Sequence, residues 1–190
     1  MDNIVNLEID RGESFLYAVR WETSPILYMP ITGITQAAPA VVTAVAHGVP
    51  DGWRVAIVSA KGMRQINAVN TPPKHKDYKV ATVLSADSIA LNDVNSADFS
   101  AYTSGGYVQY NTPKDMTGFA ASLVVKDYEG GNVLLTLTPV IDNTAKTITI
   151  SMSAAATAAL AFDDAIYELL LTSSLGDVTE LMAGSITVTD

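Results

Sequence analysis

The feature that most constrains this chain is a series of short, turn-punctuated segments between residues 42 and 106. Stretches rich in valine, isoleucine and tyrosine alternate there with glycine-containing turns, for example at residues 47–52 and 101–106. β-Branched and aromatic residues between turn residues favour strands, and several short strands at such spacing indicate a sandwich or a barrel. The sequence therefore predicts an all-β fold.

Strand-like segments also occupy the rest of the chain. Outside the central stretch they fall at residues 15–21, 123–126, 133–137, 147–152, 166–171 and 184–189. Within it they fall at residues 40–45, 53–58, 78–84, 88–91 and 107–110. Turn residues at 127–132 and 173–177 predict hairpins. One short helix is predicted at residues 153–160, because Ser153 can cap an alanine-rich segment.

The composition excludes some kinds of site and argues against others. The 190 residues contain no cysteine, which excludes disulfides, thiolate metal sites and cysteine nucleophiles. The net charge of −9 argues against a general nucleic-acid-binding protein. No apolar run approaches the roughly 20 residues that span a bilayer, and the first ten residues lack the pattern of a secretory signal. We therefore expect a chain that is made in the cytoplasm and inserts into no membrane.

Charge is distributed unevenly along the chain. Residues 32–109 carry six Lys/Arg and five Asp, whereas the flanking segments carry five basic and fifteen acidic residues. This shift predicts two domains. The first is a discontinuous, immunoglobulin-like β-sandwich formed by residues 1–31 and 110–190, and the second is an inserted small β-barrel formed by residues 32–109. Chance variation along one domain is the alternative interpretation.

Motifs in the central stretch occur in a recognisable order. They are a Val42–Thr43 strand, a His47–Gly48 turn, an Asp51–Gly52 turn, a Gly62–Met63 loop ending near Asn67, and a closing Tyr-Thr-Ser-Gly-Gly at residues 102–106. This order resembles a small β-barrel repeat of tailed-bacteriophage structural proteins, which is similar to the first catalytic-cysteine half-domain of ubiquitin-activating enzymes. The resemblance implies a fold and no such activity, because the chain has neither a cysteine nor a nucleotide-binding glycine motif. It departs from the pattern by inserting Thr-Pro-Pro-Lys-His-Lys-Asp at residues 71–77.

The flanking segments carry a second set of motifs. These are Arg11–Gly12, Thr117–Gly118, Ser-Met-Ser at residues 151–153 with Thr157, Tyr-Glu-Leu at residues 167–169, and Leu-Met-Ala-Gly at residues 181–184. Together they resemble the N-terminal β-sandwich of baseplate or receptor-binding proteins of tailed phages. The two resemblances cover nearly the whole chain, with one module nested in the other.

The sequence shows no set of residues arranged for catalysis. His47 lies in a glycine-rich turn and His75 in a basic loop, and two isolated histidines without thiols argue against a zinc site. The Asp163–Asp164 pair lacks the array of an EF-hand calcium loop, and no serine lies in a nucleophile elbow. We therefore predict no catalytic residue, no cofactor, no metal and no enzymatic activity; a small hydrolase is the least favoured alternative.

Two groups of residues are predicted to shape the surface. The inserted segment is a possible partner-contact loop, and its members are Pro72, Pro73, Lys74, His75 and Lys76. A plain solvated loop is the alternative. Structural turns are predicted at His47, Gly48, Gly52, Gly62, Gly105 and Gly106.

The resemblances and the residues together predict a non-enzymatic structural component of a tailed-phage virion. We expect it in the tail, neck or baseplate, where it would act as an adaptor or scaffold through interfaces with other virion proteins. Parts of this kind are commonly symmetric homo-oligomers, and we expect no nucleic-acid partner. A capsid decoration protein is one alternative. A host-receptor or glycan-binding adhesin is another, and it predicts an exposed cluster at Tyr102, Tyr107 and Pro72–Pro73.

Overall fold

The computed structural model describes residues 4–190 and confirms the all-β fold. The strands are β1 (Leu7–Asp10), β2 (Phe15–Arg20), β3 (Glu22–Pro30), β4 (Gly33–Ile34), β5 (Ala40–Thr43), β6 (Arg54–Val58), β7 (Lys79–Ser85), β8 (Ser88–Leu91), β9 (Tyr107–Pro113), β10 (Ala120–Lys126), β11 (Val133–Leu137), β12 (Val140–Asp142), β13 (Thr147–Met152), β14 (Asp164–Thr172) and β15 (Val178–Thr189). The helices are α1 (Ala154–Ala158) and two 3-10 helices, Arg64–Ile66 and His75–Asp77.

The predicted short helix is confirmed as α1. The Ser153 side chain caps it by accepting a hydrogen bond from the Ala156 N–H at 3.2 Å. The helix is held in place by Thr157, whose fully buried hydroxyl donates to the Glu13 carbonyl at 2.7 Å. Since a helix of this length has little stability alone, this contact and its packing maintain it.

The described chain contains two compact units, each with its own hydrophobic core. The sandwich unit comprises the chain up to Trp21 together with Lys114–Asp190, and the inserted unit comprises Glu22–Pro113. The sequence placed the boundaries near residues 31 and 110. The units instead divide before Glu22 and after Pro113, because β3 and the full length of β9 pair in one sheet.

The sandwich unit has two sheets around one core. The larger sheet has the order β1-β15-β14-β10-β11, and the smaller has the order β12-β13-β2. Strand β14 alternates buried and half-buried residues from Ala165 to Leu171, as expected for a strand with one face in a core. Its Leu169 is the register partner of Leu123 on β10 and shares a hydrophobic core with Ile148 of the smaller sheet. β1 pairs in parallel with β15, and the other pairings in these two sheets are antiparallel.

The inserted unit is a seven-stranded sheet with the order β3-β9-β6-β7-β8-β5-β4. Its core centres on fully buried Trp53, whose indole N–H donates to the Asn111 carbonyl at 3.1 Å. The predicted barrel needs a correction, since no strand pairing closes this sheet within residues 4–190. The edge strand β4 has only two residues, and the opposite edge strand β3 contains Pro25 and Pro30, which have no N–H to contribute to a ladder.

The chain leaves the sandwich unit and returns to it through adjacent segments. In the sandwich unit the Lys114 N–H donates to the Trp21 carbonyl at 3.0 Å, and the Lys114 ammonium lies 5.3 Å from the centre of the Trp21 ring. In the inserted unit the next residues, Glu22 and Pro113, are register partners in the β3–β9 ladder. The departing and returning chains therefore run side by side and antiparallel.

Candidate contact surface

The predicted partner-contact loop lies between β6 and β7 of the inserted unit. We call residues 71–77 the proline–lysine loop; it ends in the 3-10 helix His75–Asp77. Pro72, Lys74, His75 and Lys76 are exposed, whereas Pro73 is half-buried. Consecutive prolines lack the N–H groups that a sheet requires, so this segment lies outside the ladder.

Asp77 fixes the conformation of the proline–lysine loop. One carboxylate oxygen accepts hydrogen bonds from the Lys74 N–H and the Asn70 side-chain amide, both at 2.8 Å. The other accepts from the Val69 N–H at 3.2 Å. The Lys74 N–H, followed by the Asn70 amide, lowers the pKa of Asp77 to about 2 from its ordinary 3.8, because these donors favour the charged form. The loop is therefore ordered around a carboxylate that is only 9% exposed.

A groove of about 370 Å³ separates the proline–lysine loop from the outer face of β3, β9 and β6. Pro72 and Pro73 line one side, and Tyr28 of β3 lines the other. Gln109 lies at its base, 3% exposed, and donates a hydrogen bond to the Tyr78 hydroxyl at 3.0 Å. Tyr78, the residue directly after the loop, is thus bonded to the sheet at the base of the groove.

Two tyrosines extend this surface along the sheet. Tyr28 and Tyr107 pack edge-to-face with ring centres 6.2 Å apart, and their exposed fractions are 51% and 43%. Such residues supply large contact area at small conformational cost, and they carry a hydroxyl for hydrogen bonding. Since Tyr28 lines the groove and Tyr107 packs against Tyr28, Tyr107 lies next to the groove. Tyr102, in contrast, is half-buried and donates to the Ile31 and Gly105 carbonyls, each at 2.9 Å.

A small polar pocket of about 270 Å³ lies on the other side of Pro73. Its centre is Glu22, which pairs with the Arg54 guanidinium at 2.7 Å and accepts from the Asn111 side-chain amide at 2.6 Å. His75 and Tyr78 complete its wall. Because Glu22 and Arg54 satisfy one another, this pocket offers hydrogen-bonding groups without a strong net charge.

A further cavity of the inserted unit, about 460 Å³, lies against the end of the proline–lysine loop. Ile57, Leu91 and Phe99 provide apolar lining, and Lys76 and Asp93 provide charged lining. The loop therefore borders three cavities of different polarity within one unit.

The lysines of the loop form no salt bridge within residues 4–190 and remain available to an external partner. Lys74, His75, Lys76 and the neighbouring Lys79 are exposed. Within residues 4–190, the five salt bridges of the protein involve none of these four side chains. The loop thus presents unpaired positive charge beside apolar prolines and tyrosines.

His47 serves the framework of the inserted unit. It is 2% exposed, and its Nδ1 accepts from the Val49 N–H at 3.0 Å. This bond leaves the proton on Nε2, which donates to the Ser85 carbonyl at 3.0 Å. The Tyr110 hydroxyl donates to the His47 carbonyl at 2.6 Å. Both ring nitrogens are therefore occupied by backbone partners.

The glycines predicted at turns all have positive φ angles. Gly48, Gly52, Gly62, Gly105 and Gly106 lie between +63° and +88°. At two of these glycines, neighbouring backbone atoms also leave no room for a Cβ. A Cβ on Gly62 would lie 2.2 Å from the Ala101 carbonyl oxygen, and one on Gly106 would lie 2.8 Å from the Ala60 backbone. These two positions require glycine for both conformation and close approach.

Sequence reasoning missed three residues that build the contact surface. Asp77 was grouped with the insertion without a role, although an Asp that follows Asn-Thr-Pro-Pro-Lys-His-Lys is well placed to accept from the preceding turn. Tyr28 was missed because the two prolines of β3 are typical of a loop and argue against a strand. Gln109 carried no signal, since its hydrogen-bond partner Tyr78 lies far away in the sequence.

Comparisons with known proteins add no relative. No protein-family model matches the sequence, and no curated protein is significantly similar to it. In the described part of the chain, no three His, Asp or Glu side chains come together as a potential metal site. The helices found among residues 4–190 are all too short to cross a membrane.

Proposed function

We propose that this protein is a non-enzymatic structural component of a tailed-phage virion, made in the host cytoplasm. In this proposal it lies in the tail, neck or baseplate and acts as an adaptor or scaffold through protein–protein interfaces. The ordered motifs of the sequence, with one β-module nested in another, support the assignment to a virion. The contact surface of the inserted unit supports the adaptor role.

The observation that carries the proposal is the Asp77-anchored proline–lysine loop beside the exposed tyrosines. An interface gains affinity when its contact residues are ordered before binding, because less conformational entropy is lost. Three hydrogen bonds to the Asp77 carboxylate provide this order. Tyr28 and Tyr107 add the aromatic area that is enriched in interface cores.

The chain path is a second support. The inserted unit is joined to the sandwich unit at both Trp21–Glu22 and Pro113–Lys114. Two connections suit a part that must remain attached while its exposed surface engages a partner. In this arrangement the sandwich unit serves attachment, and the inserted unit serves contact.

A glycan-binding or receptor-binding adhesin is the second candidate. It is favoured by the tyrosine pair, since Tyr28 and Tyr107 offer exposed aromatic faces beside a groove with polar groups. A glycan array probed with the purified chain separates the candidates. Saturable binding that disappears in a Tyr28→Ala, Tyr107→Ala variant would favour the adhesin.

The virion assignment is tested by immunogold electron microscopy of purified phage particles from the source lysate, with antibody against this chain. Gold at the tail, neck or baseplate supports the proposal and selects the location. Gold over the capsid surface would replace it with a decoration protein. Absence of gold from both intact and gently disrupted particles would exclude a virion component.

A further inference from the structure

The two units differ sharply in charge. The sandwich unit holds five Lys/Arg and fourteen Asp/Glu, a net charge of −9, whereas the inserted unit holds six of each and is neutral. Within the inserted unit, three of the six cations are Lys74, Lys76 and Lys79, on or beside the proline–lysine loop. The protein therefore has a concentrated basic edge on one unit and an acidic surface on the other.

One groove on the sandwich unit combines acidic and apolar walls. It measures about 300 Å³ and is lined by Glu129, Glu168 and Glu180 together with Ile4 and Ile166. We call it the glutamate groove. Glu168 receives a hydrogen bond from Lys126 at 3.1 Å, but no cation lies within 4 Å of Glu129 or Glu180 in the described chain.

From this complementarity we infer that the proline–lysine loop of one copy docks in the glutamate groove of a second copy. The exposed Lys74 and Lys76 ammonium groups would face the unpaired Glu129 and Glu180 carboxylates. Pro72 would contact the apolar wall at Ile4, which is 72% exposed. This inference rests on the proposed function, since it names the partner of the same contact surface.

The physical basis is attraction between complementary charged groups that have no internal partner. Each charge lies on a surface where water screens it, so one exposed pair contributes little. Several complementary pairs around an apolar contact raise the association rate and fix the orientation of the partner. The preformed loop lowers the entropy lost on docking. Loop and groove are different surfaces, so a reciprocal contact gives a two-fold dimer, whereas a one-way contact leads to a ring or an open chain of copies.

Salt-dependent self-association of the full chain is the first test. Sedimentation velocity should show concentration-dependent association at about 0.01 M salt, where the screening length is about 30 Å. At about 1 M salt, with a screening length of about 3 Å, the association should weaken by about tenfold or more. A chain that stays monomeric at low salt up to the highest soluble concentration would overturn the inference.

A charge-swap pair tests the surfaces themselves. The loop variant Lys74→Glu, Lys76→Glu and the groove variant Glu129→Lys, Glu180→Lys should each be monomeric at low salt. Mixing the two variants should restore association, because each loop then meets a groove of opposite charge. The control Lys61→Glu, Arg64→Glu makes the same change of charge on exposed residues elsewhere in the inserted unit and should associate like the wild type.

Circular dichroism melting verifies that every variant is folded. Folded single-surface variants that still associate, or a mixture that does not recover association, would overturn the inference. Particle labelling is independent of these measurements. If particles are labelled but the purified chain is monomeric, the virion assignment stands and the proposed contact fails. If the chain associates but particles are not labelled, the contact stands and the virion assignment fails.

Discussion

At the scale of single residues, one carboxylate explains why a surface loop with two prolines and two lysines is ordered. Asp77 replaces the water that would otherwise solvate the N–H groups of Val69 and Lys74. Asp115 plays a similar part in the sandwich unit. Its carboxylate accepts from the Asn143 amide and the Thr117 hydroxyl, each at 2.8 Å, which lowers its pKa to about 2.

The lowered pKa values of Asp77 and Asp115 predict that the folded protein loses stability in acid. Their pKa values are lower in the folded protein than the ordinary 3.8, so each stabilises the folded state above about pH 4. That contribution disappears as the pH falls from about 4 towards 2. Urea unfolding at several pH values should therefore give a free energy of unfolding that decreases over this window.

The variant Asp77→Asn, Asp115→Asn isolates this effect. It should be less stable than the wild type at pH 7, because the charged acceptors are lost, and its stability should decline less between pH 4 and 2. Asp98→Asn removes an exposed carboxylate whose side chain has no hydrogen bond in the described structure, and it should retain the wild-type profile. Parallel pH profiles for the double variant and the wild type would contradict the assignment.

Gly62 supplies a second prediction at the residue scale. Alanine there combines a φ of +80° with a Cβ placed 2.2 Å from the Ala101 carbonyl oxygen. We expect Gly62→Ala to lower the free energy of unfolding by about 2 kcal/mol or more. Gly105→Ala is the matched control, since Gly105 has a φ of +68° but its nearest contact would be 3.8 Å away. It should lose only about 1 kcal/mol, measured by the same chemical denaturation.

At the scale of elements, burial separates central strands from edge strands. β14 lies between β15 and β10, and its Leu169 is fully buried. β11 forms the edge of the same sheet, and its Leu134 is 42% exposed. The same residue type therefore occupies two environments within one sheet.

This contrast predicts unequal effects of the same substitution. Leu169→Ala removes buried methyl groups and leaves a cavity, so it should cost about 2–5 kcal/mol. Leu134→Ala should change the free energy of unfolding by about 1 kcal/mol or less. Equal losses in thermal or urea unfolding would show that β11 is covered in solution.

The elements also show what the sequence could reveal. β11 and β13 were predicted with their observed bounds, because β-branched and leucine residues stand there between clear turns. β3 was missed because Pro25 and Pro30 are edge-strand features that look like loop residues in isolation. β1 was missed because its four residues become a strand only through parallel pairing with β15, far along the chain.

The contact surface was only partly predictable for a similar reason. Pro72–Lys76 stood out as a local insertion of unusual composition. The groove beside it depends on Tyr28, 43 residues before the loop, and on Gln109, 32 residues after it. Such a juxtaposition is produced by strand pairing between β3 and β9, and no local pattern records it.

At the scale of the whole molecule, two separate cores predict unfolding in more than one step. The cluster around Leu169 lies entirely in the sandwich unit, and the cluster around Trp53 lies entirely in the inserted unit. Differential scanning calorimetry should therefore give a van't Hoff enthalpy smaller than the calorimetric enthalpy. Leu169→Ala should shift one transition, and Val108→Ala, in the core of the inserted unit, should shift the other. A single transition moved by both variants would contradict this expectation.

Because the chain leaves and re-enters the sandwich unit at adjacent residues, the inserted unit is an insertion that protein engineering can replace. Trp21 and Lys114 are already hydrogen-bonded across the point where the chain leaves and returns. A short hairpin turn could join them directly, and a foreign domain whose own ends lie close together could be grafted at the same place. The junction thus offers a splice point at which the inserted unit could be removed or replaced while the strands of the sandwich unit keep their connectivity.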